Sequence, residues 1–402
     1  MFIVILSLAL ILLVGLSMAS ICEKIKLPRI VGLLVCGIVL GPFVLDLLDP
    51  KILNISSELR QIALIIILIK AGLSLNLSDL KKVGRPAVMM SFVPASFEIL
   101  GYFLFAPMLL QVSRIDAAVM GAVLGAVSPA VVVPRMVELI EEKRGTDKSI
   151  PQMILAGASC DDIFVIVLFT AFVNMEQGGS ANLISFVNIP VSIVLGIMLG
   201  AVVGFIISWL FELSHSHNKT IRNSVKVIIL LGASFMLMSI ETLAEDYVAI
   251  SGLLAVVSMA CVVKIRCVAS VSERLSQKFG KLWLAAEVIL FVLVGAAVDI
   301  RYTLEAGIAA IAMIFIALIF RAIGVLLCLV KTKLNAKERL FCVISYLPKA
   351  TVQAAIGSVP LSLGLPCGKI ILSVAVFGIL ITAPLGAIGI DKSAKRLLEM
   401  SE

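Results

Sequence analysis

Apolar runs long enough to cross a membrane follow one another along nearly the whole chain, with short polar stretches between them. Hydrophobic residues make up 61% of the 402 residues and charged residues only 15%, whereas a soluble domain carries roughly a quarter charged residues. A membrane-spanning helix needs about 20 mostly apolar residues. The pattern predicts an all-α, multi-pass protein of the cell membrane with thirteen spans, at residues 2–20, 29–45, 57–76, 87–110, 115–138, 150–174, 185–213, 221–241, 247–264, 282–300, 303–330, 337–358 and 367–390.

The chain lacks the residues that several other classes of protein would need. The eight cysteines form neither a CxxC motif nor a cluster with histidine, so neither a metal centre nor a disulfide framework is indicated. The sequence offers no nucleophile with a matching base, and we expect neither an enzyme nor a bound cofactor. The net charge of +7 does not indicate nucleic-acid binding, because the basic residues lie mainly in loops between apolar runs. Membrane lipids are the expected surroundings.

The basic residues predict the orientation of the spans. With the N-terminus outside, 25 of the 33 lysines and arginines lie on the cytoplasmic side, in loops or at the ends of spans, five lie on the outer side and three lie deeper within spans. Cytoplasmic loops are enriched in Lys and Arg, and a miscounted span would destroy this alternation. No basic residue precedes the first apolar run, so we interpret that run as a span and not as a cleaved signal peptide. The prediction is therefore N-terminus out and C-terminus in.

Local similarities between the two halves indicate an internal repeat. Residues 32–35 resemble 252–255 at an offset of 220, residues 72–77 resemble 295–300 at 223, and the mid-span prolines Pro129 and Pro348 lie 219 apart. The first repeat is then residues 1–174, which contain spans 1–6, and the second is residues 221–402, which contain spans 8–13. Residues 175–220 contain linker helix 7. Equivalent spans are seven apart, an odd number, so the two repeats have opposite orientations. Such inverted repeats are typical of secondary transporters and favour a transporter over a channel.

Spans 5 and 12 carry the interruptions expected of two crossed broken helices. Span 5 contains Ser128-Pro129 and then Pro134, and span 12 contains Pro348-Lys349. Proline lacks the backbone N–H and its ring clashes with the preceding turn, so we expect both prolines of span 5 to disturb the helix. Non-helical backbone survives in a membrane only where it is buried in protein or lines a watery cavity. A simple proline kink explains either span alone, but not the equivalent positions of the two.

Five charged residues lie near the middle of the predicted membrane. A charge at the bilayer centre costs about 2.5–3.5 kcal/mol even on lenient scales, so these residues should pair or face water. Glu98 in span 4 and Arg321 in span 11 occupy equivalent places in the two repeats and are predicted to form a structural ion pair. Lys349 lies where it can offset the negative C-terminal ends of half-helices.

The adjacent aspartates Asp161 and Asp162 of span 6 are left with little fixed compensation in this scheme. Neighbours on a helix point about 100° apart, so one can face the cavity while the other contacts a basic group such as Lys349. Burial and a neighbouring like charge both favour the protonated form of a carboxyl group. A carboxylate that holds either a proton or a cation, but not both, is sufficient for antiport. The alternative is that the two aspartates only cap half-helices or stabilise loops.

Together these residues resemble the cation:proton antiporter superfamily. The segments SPAVVVPRM at 128–136 and LPKATVQAAIG at 347–357 are most similar to the branch of the sodium/hydrogen exchanger 9B proteins and their bacterial relatives. The resemblance implies an elevator-type exchanger of monovalent cations and protons that forms a homodimer. It also implies a core domain of spans 3–6 and 10–13, and a dimerisation domain of spans 1–2 and 8–9 with span 7.

The same resemblance implies roles for individual residues. The second aspartate of the pair, here Asp162, corresponds to the essential ion-binding residue, with Asp161 beside it. Aspartate at the first position is a feature of electrogenic members, but those place a lysine where this chain has Arg321. Arginine stays protonated at essentially any pH and cannot release a coupled proton, so electroneutral exchange is expected. Supporting residues around the ion cavity are expected to be Ser128, Pro129, Ser159, Lys349 and Thr351.

Three functions remain open from the sequence. Exchange of Na+ or Li+ for H+ is the main hypothesis, and K+/H+ antiport within the same superfamily is the next. A sodium-coupled symporter of an organic anion uses a similar inverted repeat, but it needs a roomy substrate cavity and does not demand the aspartate pair.

Overall fold

The computed structural model describes residues 2–74, 84–177, 183–216, 221–244, 248, 250–299 and 307–400. Within these ranges the regular structure is helical, apart from one isolated antiparallel bridge between Arg144 and Met400. The first nine described helices are α1 Phe2–Lys24, α2 Arg29–Leu40, α3 Pro50–Asn54, α4 Ser56–Ser74, α5 Arg85–Met90, α6 Val93–Leu110, α7 Arg114–Gly125, α8 Pro129–Glu141 and α9 Ile150–Gln177. The others are α10 Leu183–Ser216, α11 Asn223–Ala244, α12 Gly252–Arg266, α13 Ala269–Ala296, α14 Gly307–Cys328, α15 Ala336–Ser345, α16 Thr351–Gly357, α17 Val359–Ser362 and α18 Gly368–Leu397.

Each of the thirteen predicted spans overlaps a described helix. Within the described ranges, nine helical stretches are long and apolar enough to cross a membrane. Other spans are short in the structure, such as α2 with 12 residues and α12 with 15, or are interrupted. The all-α prediction is confirmed for the described residues, whereas the count of thirteen, the orientation and the inverted repeat stay predictions. Of the matches that suggested the repeat, residues 75–77 and 300 lie outside the described ranges.

The described residues form two compact units. The first is built from residues within Met1–Arg60, Asn76–Val165 and Val288–Glu402, and the second from residues within Gln61–Leu75 and Ile166–Glu287. In the first unit α6 packs against α7 and α14. In the second unit α10 packs along α12, where Gly200 lies so close to the carbonyl of Ala255 that a side chain would collide with it. The division into a core domain and a dimerisation domain stays a prediction.

Span 5 is interrupted at the predicted place. Helix α7 ends at Gly125, Ala126 and Ser128 have extended backbone, and α8 begins at Pro129. Proline is well tolerated at the first position of a helix, where its missing N–H has no partner to lose, and it biases the preceding residue toward extended backbone. The sequence Ser128-Pro129 therefore explains both the gap and the restart.

Pro134, which was also expected to disturb span 5, does not end the helix. Pro134 lies inside α8, which continues to Glu141. A proline removes one hydrogen bond of the helix and can kink it without ending it. The side chain of Arg135 donates to the carbonyl of Val131 at 2.9 Å, which supplies an additional hydrogen bond in the turn that the proline disturbs.

Span 12 is interrupted as well. Helix α15 ends at Ser345, the backbone around Pro348 is not helical, and α16 starts at Thr351. The N-terminus of α15 has a capping box, in which the side chain of Asn335 accepts from Glu338 N at 2.9 Å and the carboxylate of Glu338 accepts from Asn335 N at 2.7 Å. This half-helix therefore begins at a defined residue and ends where the proline requires it.

Candidate functional site

The two interruptions contact each other through their backbones. Ser128 N donates to the carbonyl of Pro348 at 2.8 Å. The side-chain amide of Gln353 donates to the carbonyl of Ala126 at 2.8 Å and accepts from Ala350 N at 2.7 Å. Buried backbone groups that have left a helix need new partners. Hydrogen bonds between the two interruptions satisfy some of these backbone groups. The two non-helical segments therefore form one buried junction.

Four charged side chains are buried beside this junction. Arg321 on α14 donates through Nη1 to Glu98 Oε2 at 2.7 Å and through Nη2 to Asp161 Oδ2 at 3.1 Å. Lys349 Nζ, from the second interruption, lies 2.5 Å from the same Glu98 oxygen. All four side chains are almost completely inaccessible to solvent. Two carboxylates thus face two cations, and the charges of these four groups balance.

Both cations also contact the C-terminal end of α7. Arg321 Nη1 donates to the carbonyl of Gly125, the last residue of α7, and Lys349 Nζ donates to the next carbonyl, Ala126, at 3.2 Å. The C-terminus of a helix carries a partial negative charge, equivalent to about half an elementary charge. Lys349 thus lies where its charge can offset the end of a half-helix, as expected. Arg321 makes an equivalent contact with the same helix end.

The predicted surroundings of Asp161 are wrong in one respect. Asp161 is fully buried and is compensated by Arg321, and its Oδ2 also accepts from Val127 N at 2.8 Å. The sequence suggested Lys349 as the basic partner of the aspartate pair, but Lys349 contacts Glu98 instead. Sequence position placed these residues at similar depth without determining how their side chains pair, which depends on the rotation of each helix.

Asp162 differs from its neighbour. Its side chain is buried, with 8% of the residue exposed, and its Oδ1 has no hydrogen-bond partner among the residues that the structure describes. No ion pair is formed by Asp162 within the described ranges. An unpaired buried carboxylate is costly unless it takes up a proton or a cation. Asp162 is therefore a carboxylate without a cationic partner among the described residues, beside four charged groups whose charges balance.

The remaining predicted site residues lie at or near the junction. Ser128 and Pro129 are the last residue before α8 and its first residue, and the buried Ser128 Oγ has no partner among the described residues. Thr351 is the first residue of α16 and is buried. Ser159 lies in α9, but its side chain is outside the described part of the structure. The described residues contain no group of three or more His, Cys, Asp or Glu side chains that could hold a metal ion.

Two residues at the junction were missed by the sequence interpretation. Gln353 links the two interruptions, and Thr382 Oγ1 on α18 accepts from Lys349 N at 2.9 Å. Gln353 had only part of a signal, because it occupies the third helical position, from which glutamine can accept from the N-cap N–H, but Ala350 at the N-cap lacks the hydroxyl of a capping box. Thr382 had none, since it lies in the middle of a long apolar helix.

The apolar helices and the buried ionic cluster define an integral, multi-pass membrane protein of the transporter type. The family model for transmembrane sodium/hydrogen exchangers matches residues 8–392. Sodium/hydrogen exchanger 9B2 of Homo sapiens is 32% identical over 387 residues, which cover 94% of this chain and 71% of that protein. Exchanger 9B1 of Mus musculus is 29% identical, with 94% and 67% covered. The chain belongs to the sodium/hydrogen exchanger family, whose members are transporters rather than enzymes.

A solved structure has the same fold. The sodium proton antiporter MjNhaP1 from Methanocaldococcus jannaschii superposes with a TM-score of 0.81 and 22% sequence identity, covering 98% of this chain and 99% of that one. Identity at this level shows the fold alone. The predicted resemblance to the cation:proton antiporters, and to the 9B branch in particular, is confirmed.

Proposed function

We propose that this protein exchanges Na+ (or Li+) for H+ across its membrane, one for one, with Asp162 as the carboxylate that holds the transported ion. Its membership of the sodium/hydrogen exchanger family supports the type of exchange. The observation that carries the proposal is the contrast between the two aspartates, of which Asp161 is ion-paired and Asp162 is not.

The charges around Asp162 support a one-for-one ratio. Arg321 and Lys349 balance Glu98 and Asp161, so an ionised Asp162 leaves one net negative charge in a buried place. One proton or one monovalent cation neutralises that charge, and a second would create an excess. Arg321 remains protonated throughout, so it contributes no coupled proton. Proton and cation then compete for the same carboxylate, and antiport follows when the site faces each side of the membrane in turn.

The neighbouring residues have supporting roles in this proposal. The hydroxyl of Ser128 is buried and unpartnered among the described residues, and it can serve as a neutral oxygen ligand for a dehydrated cation. Asp161 holds Arg321 and keeps negative potential near the site. Pro129, Ser159 and Thr351 are proposed as supporting residues; Pro129 begins α8 and Thr351 begins α16 at the junction. Movement of a core domain against a dimerisation domain, in an elevator-type homodimer, would carry the loaded site across the membrane.

The proposal is tested in proteoliposomes that contain a pH-sensitive dye. Addition of Na+ or Li+ to the outside should drive protons out of the lumen, and a clamp of the membrane potential should leave the equilibrium point unchanged. Asp162→Asn should abolish this exchange while the purified protein remains folded, because the amide can hold neither a proton nor a cation charge. Asp46→Asn is the matched control, since Asp46 is exposed and asparagine also tolerates its positive φ of 49°.

Specific outcomes would contradict each part of the proposal. Retained Na+-driven proton flux in Asp162→Asn means that another group binds the ion. Flux with K+ but not Na+ replaces sodium by potassium as the substrate. A shift of the equilibrium point with membrane potential rules out one-for-one exchange. Sodium-dependent uptake of an organic anion without proton movement indicates symport instead of antiport.

A further inference from the structure

Tyr346 lies in the second interruption, directly after the end of α15, and it is fully buried. It is among the largest completely buried side chains in the described part of the chain. Its backbone carbonyl and its ring face one partner, Arg321, whereas its hydroxyl reaches α9.

The contacts with Arg321 fix the position of the guanidinium. Arg321 Nε donates to the carbonyl of Tyr346 at 2.5 Å, and the central guanidinium carbon lies 5.5 Å from the centre of the tyrosine ring. A cation over an aromatic face is attracted by the negative potential of the ring, and more strongly when both are removed from water. The two remaining nitrogens of Arg321 are thereby directed toward Glu98 and Asp161.

The hydroxyl of Tyr346 lies against the helix that carries the aspartates. It occupies a notch at Gly157 of α9, where an added Cβ would collide with the hydroxyl oxygen. Gly157 precedes Asp161 by four residues, so the two lie on the same face of α9. The hydroxyl has no hydrogen-bond partner among the described residues. Its place is therefore determined by the shape of the notch and not by a polar contact.

We infer that Tyr346 is a positioning residue for ion exchange: its carbonyl and its ring hold Arg321 against Asp161, and so determine the affinity of Asp162 for its ion, whereas its hydroxyl only fills the notch in α9. This inference rests on the proposed function. If Arg321 moves away from Asp161, two adjacent buried carboxylates remain with less positive charge beside them. Protonation is then favoured over the ionised form, and Na+ competes less well with H+.

Transport kinetics test the role of the ring. Tyr346→Leu removes the aromatic face and should raise the KM for Na+ roughly five- to thirtyfold, the range expected for the loss of a buried cation–π contact. Its maximal rate should fall by a smaller factor, and the acidic limb of the pH profile should move to higher pH. Tyr346→Phe keeps the ring and should restore both the KM and the pH profile. The charged groups that lie beside the aspartate pair among the described residues are Arg321, which contacts Asp161, and Glu98 and Lys349 of the same cluster.

Phe341→Leu is the control for a purely structural effect. Phe341 is fully buried on α15 and belongs to the same apolar cluster as Tyr346, and its ring forms no cation–π contact among the described residues. It should lower the melting temperature as Tyr346→Leu does, but leave the KM and the pH profile unchanged. Equal kinetic changes in the two leucine variants, or failure of Tyr346→Phe to restore the KM, would overturn the inference.

A second measurement tests the placement without transport. Gly157→Ala should lower the melting temperature strongly, because the new Cβ meets the Tyr346 hydroxyl. In the Tyr346→Phe background that oxygen is absent, so the same change should cost less, the remaining close neighbour being Met90 Cβ at 2.9 Å. Additive losses would overturn the placement of Tyr346. If the wild-type protein moves no cation, the proposed function fails. The comparison of the single and double variants still tests whether the Tyr346 hydroxyl lies against Gly157.

Discussion

Glu98 is the residue whose neutralisation should disturb the buried charges most clearly. Its Oε2 accepts from Arg321 at 2.7 Å and from Lys349 at 2.5 Å, and the side chain is almost completely buried. The change Glu98→Gln keeps the size of the side chain and removes its charge. Arg321 then retains Asp161, but Lys349 retains no carboxylate contact among the described residues. One buried cation is thus left with carbonyl oxygens as its only described acceptors.

The size of the effect follows from these contacts. Two unit charges about 3 Å apart attract by roughly 5 kcal/mol at an effective dielectric constant near 20, and desolvation offsets part of this. Removing one partner of a buried pair typically costs about 3–5 kcal/mol, because the other charge stays buried. Lys349→Met should cost a similar amount. The double variant removes one charge of each sign, so its loss should be smaller than the sum of the single losses by at least about 2 kcal/mol.

The measurement is unfolding of the purified protein in detergent, by heat and by titration with denaturant, for the two single variants and the double variant. Glu141→Gln is the matched control, because Glu141 is exposed and its neutralisation should change stability by less than about 0.5 kcal/mol. Additive losses in the double variant would refute the reasoning, since they would mean that Glu98 and Lys349 do not share one charge balance. A Glu98→Gln variant as stable as the control would refute it equally.

Two further predictions concern the hydrogen bonds of the junction and the packing of α10 against α12. Gln353→Leu leaves Ala350 N without its acceptor and removes one of the two donors to the carbonyl of Ala126, which keeps Lys349. It should cost about 1–3 kcal/mol, measured as a lower melting temperature; an unchanged temperature would mean that the two interruptions are held by other contacts. Gly200→Ala should destabilise by about 1–3 kcal/mol through overpacking against α12, whereas Gly232→Ala in α11, with no atom within 4 Å of the added Cβ, should stabilise by about 0.5–1 kcal/mol; equal effects of the two alanines would contradict this packing.

The interruptions could be predicted from the sequence because their cause is local. Proline has no N–H to donate, and it restricts the residue before it, so the end of α7 and the start of α8 follow from Ser128-Pro129. The contact between Glu98 and Arg321 was predicted from equivalent positions in two similar halves. That argument needs only depth in the membrane, and the structure places the two side chains 2.7 Å apart.

The partners of Lys349 and Asp161 could not be predicted in the same way. Several carboxylates lie at one depth, and the choice between them depends on helix rotation and on which carbonyls the interruptions expose. For a related reason the sequence did not determine whether Pro134 ends the helix, because proline disturbs a helix without deciding whether neighbouring bonds keep it intact. Thr382 belongs to a helix whose sequence gives no sign that it faces an interruption. These are tertiary effects, which override local preference.

The end of α7 helps to explain why Asp162 forms no ion pair with Arg321 or Lys349 in the described part of the chain. Arg321 and Lys349 each donate both to a carboxylate and to a carbonyl at the C-terminus of α7, whose partial charge is also negative. The two cations are therefore balanced by Glu98, Asp161 and the helix end before Asp162 is considered. An ionised Asp162 then needs a positive charge from outside the protein, either a proton or a metal cation. This dependence supports the proposed role of Asp162 as the carboxylate that holds one such ion at a time.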